Sequence, residues 1–199
     1  MRTTLVGKKR LDFLQKAAKD VMKSGLRGCY VECGVWRGGS AGVVGKVLKD
    51  RDMWLFDSFA GMPKPGCFDI DYRGRSARDM VAGGLPLDGD ASDYDVCWDY
   101  LKSLGLEMKR VHVIKGWFRD TFRQAIGLGP LAILHLDCDF YDSVKLALRR
   151  WMPSVADGGY VIIDDYGHWR GCRKAVDEYL GARVKELHKI DRTGVWLKL

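Results

Sequence analysis

The sequence predicts an α/β fold in one domain, with a mostly parallel sheet and helices on both of its faces. Three observations carry this prediction. The 199 residues are close to the size of one domain and leave little room for a second. Short apolar segments alternate with longer segments whose apolar residues recur at helical spacing, which indicates βαβ units and a parallel sheet. The last two strand-like segments lie close together, so a terminal hairpin is expected to add an antiparallel strand.

The first elements are an amphipathic helix and two strands. Within residues 8–24, apolar residues lie at helical spacing among Lys and Arg, which predicts a helix that ends near Gly25. The segment "CYVECG" predicts a short buried strand that runs into a glycine-rich turn. A helix over 40–48 follows, and then the strand "MWLFD", which ends in Asp57.

Residues 58–94 interrupt the alternation of strands and helices. They are rich in Pro, Gly and Asp and show no regular period. A long irregular segment inside a compact domain is usually a lid or a binding loop. We therefore predict a lid or substrate loop over 58–94.

The alternation resumes after this segment. A helix is expected over 94–104, followed by the strand "RVHVIKG" and a helix after Trp117. Next come the strand "LAILHLD", a helix over 142–151, the strand "GYVIIDD" and a helix over 172–180. The strands "VKELHKI" and "GVWLKL" end the chain. In a sheet of this kind ligands bind beyond the carboxyl ends of the strands, so those ends are where a site is expected.

Composition excludes several classes of protein. The chain is 47% hydrophobic and 30% charged, which is typical of a globular domain and argues against disorder. Its apolar stretches are too short to cross a bilayer, and the N-terminus has no apolar segment typical of a secretory signal. The six cysteines form no C-x-x-C pair, which argues against structural zinc. A cytoplasmic location with reduced thiols is the expectation.

The net charge of +7 is unevenly distributed. Residues 1–27 carry a net +6, and residues 57–99 carry a net −5. A basic segment can favour nucleic acid or an anionic membrane. The solvated face of an amphipathic helix is the commoner cause of such a run. We therefore predict neither a nucleic-acid nor a membrane partner.

The first strand ends in the turn "ECGVWRGGS". Glycines such as Gly34 and Gly38 let the backbone approach a ligand, and the next helix, which starts near Ser40, offers free N–H groups to an anion. Glu32 can hold an ammonium group. The turn matches neither G-x-G-x-x-G nor a P-loop, and a tight turn without a ligand is the alternative interpretation.

Two further strand ends carry candidate nucleoside contacts. Asp57 lies 25 residues after Glu32, and an acid about 20 residues past the glycine loop binds ribose hydroxyls in nucleotide-binding α/β folds. The alternative is helix capping by the Asp57–Ser58 pair. Trp117 and Phe118 could flank an adenine, although core packing is the commoner role of such residues.

Four carboxylates follow two strands that are expected to be neighbours. Asp137 and Asp139 follow one strand, and Asp164 and Asp165 end the next. Clustered carboxylates repel one another and are costly to bury, and oxygen ligands of this kind favour Mg²⁺. The alternative is helix capping, but Asp142 or Ser143 is expected to cap the following helix, which leaves Asp137 free.

Several ordered segments resemble the macrocin O-methyltransferase (TylF/MycF) family. They are "VECGVWRGGSA", "LFDSFAGMP", "GWFRDTF", "LHLDCDFYDSVKLAL", "GGYVIIDDYG" and "GCRKAVDEY". The resemblance runs from about residue 8 to residue 181. It implies a Rossmann-like class I methyltransferase sheet over residues 1–199, S-adenosylmethionine as cofactor, Mg²⁺, and a sugar hydroxyl of a small natural product as acceptor.

The resemblance also implies a role for each matched residue. The residues along the cofactor would be Glu32, Gly34, Gly38, Ser40, Asp57, Ser58, Trp117 and Phe118. Asp137, Asp164 and Asp165 would hold the metal.

A base must take the proton of the acceptor hydroxyl, and Asp137 and His168 are the two candidates. Arg37, Tyr141 and Arg173 are expected near the strand ends as substrate or orienting contacts. The alternatives are a catechol-type O-methyltransferase, a nucleic-acid methyltransferase and a non-enzymatic cofactor-binding module. The acidic, Arg-containing lid favours a polar acceptor over a catechol. A homo-oligomer is also possible, through the first helix or the lid.

Overall fold

The structure, a computed structural model, describes residues 2–84 and 93–199. Residues 85–92, which belong to the predicted lid, lie outside the described residues. The strands that the structure describes are β1 (Cys29–Cys33), β2 (Met53–Asp57), β3 (Val111–Lys115), β4 (Leu131–Leu136), β5 (Val155–Ile163), β6 (His188–Lys189) and β7 (Val195–Lys198).

The strands form one twisted mixed sheet in the order β3-β2-β1-β4-β5-β7-β6. The five strands from β3 to β5 are parallel to one another. Strand β7 is antiparallel both to β5 and to β6. The predicted α/β class, with its parallel sheet and terminal antiparallel strand, is confirmed.

Helices cover both faces of the sheet. In the described part of the chain they are α1 (Lys8–Ser24), α2 (Gly39–Gly45), α3 (Ala77–Ala82), α4 (Tyr94–Ser103), α5 (Phe118–Thr121), α6 (Tyr141–Trp151) and α7 (Arg170–Leu180). Helix α1 has the predicted bounds and ends at Gly25, whose φ of 70° is left-handed. Helix α2 is shorter than predicted and stops at Gly45.

The core lies on both sides of the two central strands. Every residue of β1 and of β4 is buried, as expected for strands covered on both faces. One face packs Phe56, Phe122 and Trp151 together, and the other packs Leu14 of α1 and Leu101 of α4. Each of these side chains contributes about 1.5–3 kcal/mol by its burial.

Two predicted elements differ in the structure. The prediction of a strand over "VKELHKI" is wrong for most of that segment. Gly181–Glu186 forms a 3-10 helix instead, and an ion pair joins Arg183 and Glu186 within it. Only His188–Lys189 pairs with β7. The predicted cap of α6 is also wrong. The helix begins at Tyr141, so Asp142 falls inside its first turn, and no side chain of its N-cap residue, Phe140, caps it.

The cap of α6 comes instead from residues 66–76, which we call the docked segment. Asp69, only 2% exposed, accepts hydrogen bonds from the backbone N–H of Tyr141 at 2.9 Å and of Gly66 at 2.6 Å. The carbonyl of Ile70 accepts the N–H of Arg170 at the start of α7 at 2.8 Å. This part of the predicted lid is therefore fixed to two helix N-termini. Helix α3 follows it within the stretch that was expected to be irregular throughout.

No helix in residues 2–84 or 93–199 is long and apolar enough to cross a membrane.

Candidate functional site

A cavity of about 1160 Å³ lies at the carboxyl ends of the parallel strands. This is the edge at which the sequence places the candidate residues. Eleven of them line it: Gly34, Ser40, Asp57, Ser58, Trp117, Phe118, Asp137, Asp139, Asp164, Asp165 and His168. Glu32 and Gly38 are not among the lining residues, although both belong to the β1–α2 region that borders it.

The glycine turn is shaped by contact with the neighbouring strand end. Gly34 has a φ of 90°, and a Cβ on it would lie 1.8 Å from the carbonyl oxygen of Asp137. The backbone N–H of Asp137 donates to the carbonyl of Cys33 at 2.9 Å. Gly34 is thus required by the close approach of protein backbone, and it sets the turn directly beside the first carboxylate of the acidic cluster.

Asp57 organises the same turn from the end of β2. Its Oδ2 accepts the backbone N–H groups of Val35 at 2.7 Å and Trp36 at 2.8 Å, and its Oδ1 accepts that of Phe59 at 2.8 Å. Trp36 and Phe59 both have a positive φ, which is uncommon for non-glycine residues and is often found at functional sites. A carboxylate has about four lone-pair sites, so Asp57 retains acceptor capacity toward the cavity.

The two aromatic candidates differ in their surroundings. Trp117 is 40% exposed at the cavity edge. Phe118 stacks on Phe122, with 4.8 Å between ring centroids. Trp117 therefore offers a free aromatic face, while Phe118 is partly a core residue.

Glu32 is completely buried behind the glycine turn. Its Oε1 accepts the hydroxyl hydrogen of Ser40 and lies 3.1 Å from Nδ1 of His135. Its Oε2 is buried and has no hydrogen-bond partner in the described part of the chain. A buried carboxylate oxygen without a donor is costly, and an ammonium group is a partner that would satisfy it.

The structure brings Asp137 and Asp164 together, since one oxygen of each lies within 4.8 Å of the other and of a ring nitrogen of His135, and Asp165 lines the same cavity. Burial and the charge of nearby Asp164 raise the pKa of Asp137 well above its ordinary value. Burial and the charge of Asp137 raise the pKa of Asp165 likewise. Oδ2 of Asp165 is buried, and no described group donates a hydrogen bond to it. A buried carboxylate oxygen without a donor, next to further buried carboxylates, is the kind of ligand that a hard divalent cation prefers, so the chemistry of these residues fits Mg²⁺.

Asp164 differs from the other acids because two basic side chains already contact it. Its Oδ1 accepts from Nε2 of His135 at 2.9 Å, and its Oδ2 accepts from Nη1 of Arg10 at 2.7 Å. Nε of Arg10 in turn lies 3.1 Å from a carboxylate oxygen of Asp191. Burial opposes the charged form of His135, but the carboxylates of Asp164 and Glu32 hold its pKa well above its usual value.

Sequence reasoning missed His135 and Arg10. One ligand atom each of His135, Asp137 and Asp164 lie within 4.8 Å of one another, yet both ring nitrogens of His135 already face carboxylates. The available signal was one histidine inside the apolar run "LAILHL". Arg10 gave none, because it sits among the other basic residues of α1.

His168 and Asp139 lie on the rim of the acidic cluster. The backbone N–H of His168 donates to the carbonyl of Asp165 at 3.0 Å, and its ring packs edge-on against Tyr72 at 5.4 Å. Asp139 has a φ of 58° and accepts from Nε1 of Trp169 at 3.0 Å. The protein thereby fixes the backbone around both residues.

Three expected substrate contacts lie elsewhere. Within residues 2–84 and 93–199, the residues that line the cavity do not include Arg37, Tyr141 or Arg173. Arg37 lies over the ring of Trp36, Arg173 lies over the ring of Tyr166, and the hydroxyl of Tyr141 donates to Glu178. Each side chain is engaged on a neighbouring surface.

The N-terminal residues before α1 form one wall of the cavity. Arg2, Thr4, Leu5 and Val6 line it, and the backbone N–H of Gly39 donates to the carbonyl of Thr3 at 3.0 Å. A Cβ on Gly39 would lie 2.5 Å from Cβ of Thr4. This segment carries no recognisable sequence pattern, so a role in the cavity could not be predicted for it.

Comparisons with known proteins agree with this geometry. The sequence profile of the family described as "Macrocin-O-methyltransferase (TylF)" matches residues 1–199. The chain is 38% identical to the 8-demethyl-8-(2,3-dimethoxy-alpha-L-rhamnosyl)-tetracenomycin-C 4'-O-methyltransferase of Streptomyces olivaceus, over 97% of this chain and 74% of that enzyme. It is 34% identical to the mycinamicin III 3''-O-methyltransferase of Micromonospora griseorubida, over 97% of this chain and 77% of that enzyme.

Solved structures share the fold. The O-methyltransferase NovP superposes with a TM-score of 0.83 at 32% identity, over 100% of this chain and 82% of NovP. An O-methyltransferase from Bacillus cereus, solved in complex with S-adenosylhomocysteine, superposes with a TM-score of 0.62 over 96% of this chain and 80% of that one. At 13% identity, the second likeness concerns the fold alone.

Proposed function

The chain belongs to the macrocin O-methyltransferase (TylF) family, and from that premise we propose that it methylates a sugar hydroxyl of a glycosylated natural product, with Mg²⁺ bound at its acidic cluster. It is an S-adenosylmethionine-dependent methyltransferase. The acceptor class, the metal and the individual site residues are the proposed part.

One observation carries the proposal: a single cavity contains both the glycine turn and the acidic cluster. Its volume of about 1160 Å³ exceeds the ~300–1,000 Å³ typical of a site for one small ligand. The cavity therefore has room for a cofactor and an acceptor side by side. A methyl donor and a hydroxyl acceptor must lie about 3–3.5 Å apart to react.

At the cofactor end, the proposed contacts follow the chemistry of each group. The unpartnered oxygen of Glu32 would accept the ammonium group of the methionine moiety. Asp57 would accept the ribose hydroxyls, and Trp117 would pack against the adenine. The remaining proposed cofactor contacts are Gly34, Gly38, Ser40, Ser58 and Phe118.

At the other end, Asp137, Asp164 and Asp165 would hold the cation. When bound there, Mg²⁺ supplies a Lewis acid that favours the ionised form of a hydroxyl group. Arg10 and His135 hold the carboxylate of Asp164 from two sides, which fixes its orientation. This matters because supporting residues of this kind tune a metal site almost as much as its ligands do.

Two groups are candidates to take the proton of the acceptor hydroxyl. The backbone of Asp137 contacts the glycine turn, and the residue lines the cavity with an oxygen within 4.8 Å of Asp164. His168 lines the cavity, and its backbone is tied to Asp165. Histidine is the side chain that most often acts as a general base.

The cavity lining includes several polar side chains. Arg2, Thr4, Arg10, Thr193 and His168 are among them, and such groups can form hydrogen bonds with the hydroxyls of a sugar. The relative from S. olivaceus is named for a rhamnosyl substrate, which also supports a sugar acceptor. We propose a single domain in which residues 58–64, most of which line the cavity, border the acceptor, while the docked segment approaches it through the contact of Tyr72 with His168. Self-association through α1 or the lid region remains a prediction.

The experiment is a methyl-transfer assay with S-adenosylmethionine, followed by S-adenosylhomocysteine release and by product mass. A rhamnosylated polyketide and a simple catechol are compared as acceptors, with Mg²⁺ and with EDTA. We expect methylation of the sugar only, and only with the divalent ion. In the Asp165→Asn variant turnover should fall by about 100-fold or more, while exposed Asp157 provides the matched Asp157→Asn control.

The outcomes separate the parts of the proposal. Methylation of the catechol but not of the rhamnoside would replace the sugar acceptor with a phenol. Full activity of the EDTA-treated protein would show that the metal assignment is wrong. The variants His168→Gln and Asp137→Asn identify the base, with exposed His188 as the site of the control variant His188→Gln.

A further inference from the structure

We propose that His135 is a positioning residue that couples cofactor binding to divalent-cation binding, because its imidazole holds Glu32 with one nitrogen and Asp164 with the other. The inference rests on the proposed function, which places the ammonium group at Glu32 and the cation at Asp164.

The side chain of His135 contacts Glu32 at one end of the site and Asp164 at the other, and we call these three residues the bridge. Nδ1 lies 3.1 Å from Oε1 of Glu32, and Nε2 lies 2.9 Å from Oδ1 of Asp164. The hydroxyl of Tyr30 lies 3.2 Å from Nδ1 on the same side as Glu32. Within the described chain, one rigid aromatic ring thus joins a residue of β1 to the end of β5 across the central strand β4.

Burial makes this bridge stiff. His135, Glu32 and Tyr30 are each 0% exposed, and Asp164 is 1% exposed. Neither carboxylate can turn toward bulk water, so a change in the position of one is passed to the other through the ring. Hydrogen-bonded polar networks in such surroundings act as units rather than as independent pairs.

The bridge extends beyond the ring on the cation side. Arg10 of α1 holds the other oxygen of Asp164 at 2.7 Å, and Asp191 of the β6–β7 turn lies against Arg10. Glu32, by contrast, has a free buried oxygen. A ligand that fixes Glu32 therefore restricts the ring, and the restricted ring presents Asp164 in one orientation for the cation.

This arrangement predicts positive coupling. The first ligand to bind meets the cost of ordering the bridge, so the second ligand binds more tightly. Coupling between two binding sites is reciprocal and amounts typically to 5–150-fold. We expect Mg²⁺ to strengthen S-adenosylhomocysteine binding about fivefold or more, and S-adenosylhomocysteine to strengthen Mg²⁺ binding by the same factor.

Two substitutions of His135 each remove one of its two contacts and keep the other. The amide of His135→Asn reaches the position of Nδ1 and keeps the contact with Glu32, but it has no atom near Nε2. The longer side chain of His135→Gln reaches the position of Nε2 and keeps the contact with Asp164, while the contact with Glu32 is lost. The matched controls are His112→Asn and His112→Gln, at a histidine of β3 that stacks on Trp54.

The test is calorimetric titration of the full chain with S-adenosylhomocysteine and with MgCl₂, each in the absence and presence of the other. Loss of a supporting hydrogen bond typically weakens metal binding 10–100-fold. We expect His135→Asn to weaken Mg²⁺ by about tenfold and to leave S-adenosylhomocysteine within about twofold of wild type. His135→Gln should weaken S-adenosylhomocysteine more than Mg²⁺, and both variants should lose the coupling.

The wild-type protein by itself can overturn the inference. If it binds both probes and neither changes the affinity of the other beyond twofold, the coupling does not exist, whether or not the variants fold. If both variants melt at the wild-type temperature and each loses affinity for S-adenosylhomocysteine and for Mg²⁺ to the same extent, His135 has only a structural role. If the wild type binds neither probe, the proposed function itself fails, and that result is distinct from binding without coupling.

Discussion

Substitution of Gly34 by alanine tests how closely the cofactor turn and the acidic cluster are joined. The new Cβ would lie 1.8 Å from the carbonyl oxygen of Asp137 and 2.7 Å from its carbonyl carbon. Both neighbours are backbone atoms, so neither can rotate away as a flexible side chain would. The end of β4, or the turn itself, must therefore move.

Two costs contribute to the expected loss of stability. A side chain at a φ of 90° is strained by about 1 kcal/mol. Overpacking in a close-packed region adds about 1–3 kcal/mol. We expect Gly34→Ala to lower the free energy of unfolding by about 2–4 kcal/mol in urea titrations, and to weaken S-adenosylhomocysteine binding.

Gly25→Ala is the matched control, because Gly25 has a φ of 70° and no described atom within 4 Å of its Cβ position. The Gly25→Ala variant has the backbone strain but no steric clash, so its free energy of unfolding should fall by about 1 kcal/mol. If the two variants lose the same stability within error, the close approach to Asp137 does not constrain the turn and the reasoning is wrong.

Three further predictions concern charge and packing. In Asp165→Asn, loss of a buried carboxylate oxygen without a described partner should raise the melting temperature in EDTA but abolish the increase that MgCl₂ gives the wild type. Lys198 and Tyr160 lower the pKa of Asp20 below 3.8. Asp20→Asn should therefore cost under about 1 kcal/mol at pH 7, and the difference should vanish as the pH falls through that pKa. Gly39→Ala, whose Cβ would meet Thr4 at 2.5 Å, should displace the N-terminal wall and weaken S-adenosylhomocysteine binding in calorimetry.

The sequence alone was sufficient to predict the sheet and the edge of the sheet at which the candidate residues meet. Buried parallel strands read as continuous apolar runs, and the residues that follow them must meet at one edge. For this reason Asp57, Asp137 and Asp164 could be placed together before any coordinates were known. The N-terminal helix was equally clear, since its apolar period and Gly25 defined both its face and its end.

The roles of three residues could not be predicted, because they depend on contacts between distant parts of the chain. His135 belongs to a buried strand, and nothing in its local pattern shows that carboxylates flank it on both sides. Asp69 caps a helix 72 residues later, which no local capping rule can predict. Arg10 is one basic residue among several on α1, and only the packing of that helix brings it to Asp164.

The capping of α6 by Asp69 limits how the docked segment of this protein can diverge. Because Asp69 accepts the N–H of Tyr141 at the start of helix α6, the helix start and the docked segment stabilise each other. The same contact requires glycine at position 171, because a Cβ on Gly171 would lie 2.2 Å from Oδ1 of Asp69. Exposed Tyr72 and Arg73 are not constrained in this way, although Tyr72 packs against His168. A mutational library in the docked segment should therefore preserve Asp69 and Gly171 and vary the two exposed residues, Tyr72 and Arg73.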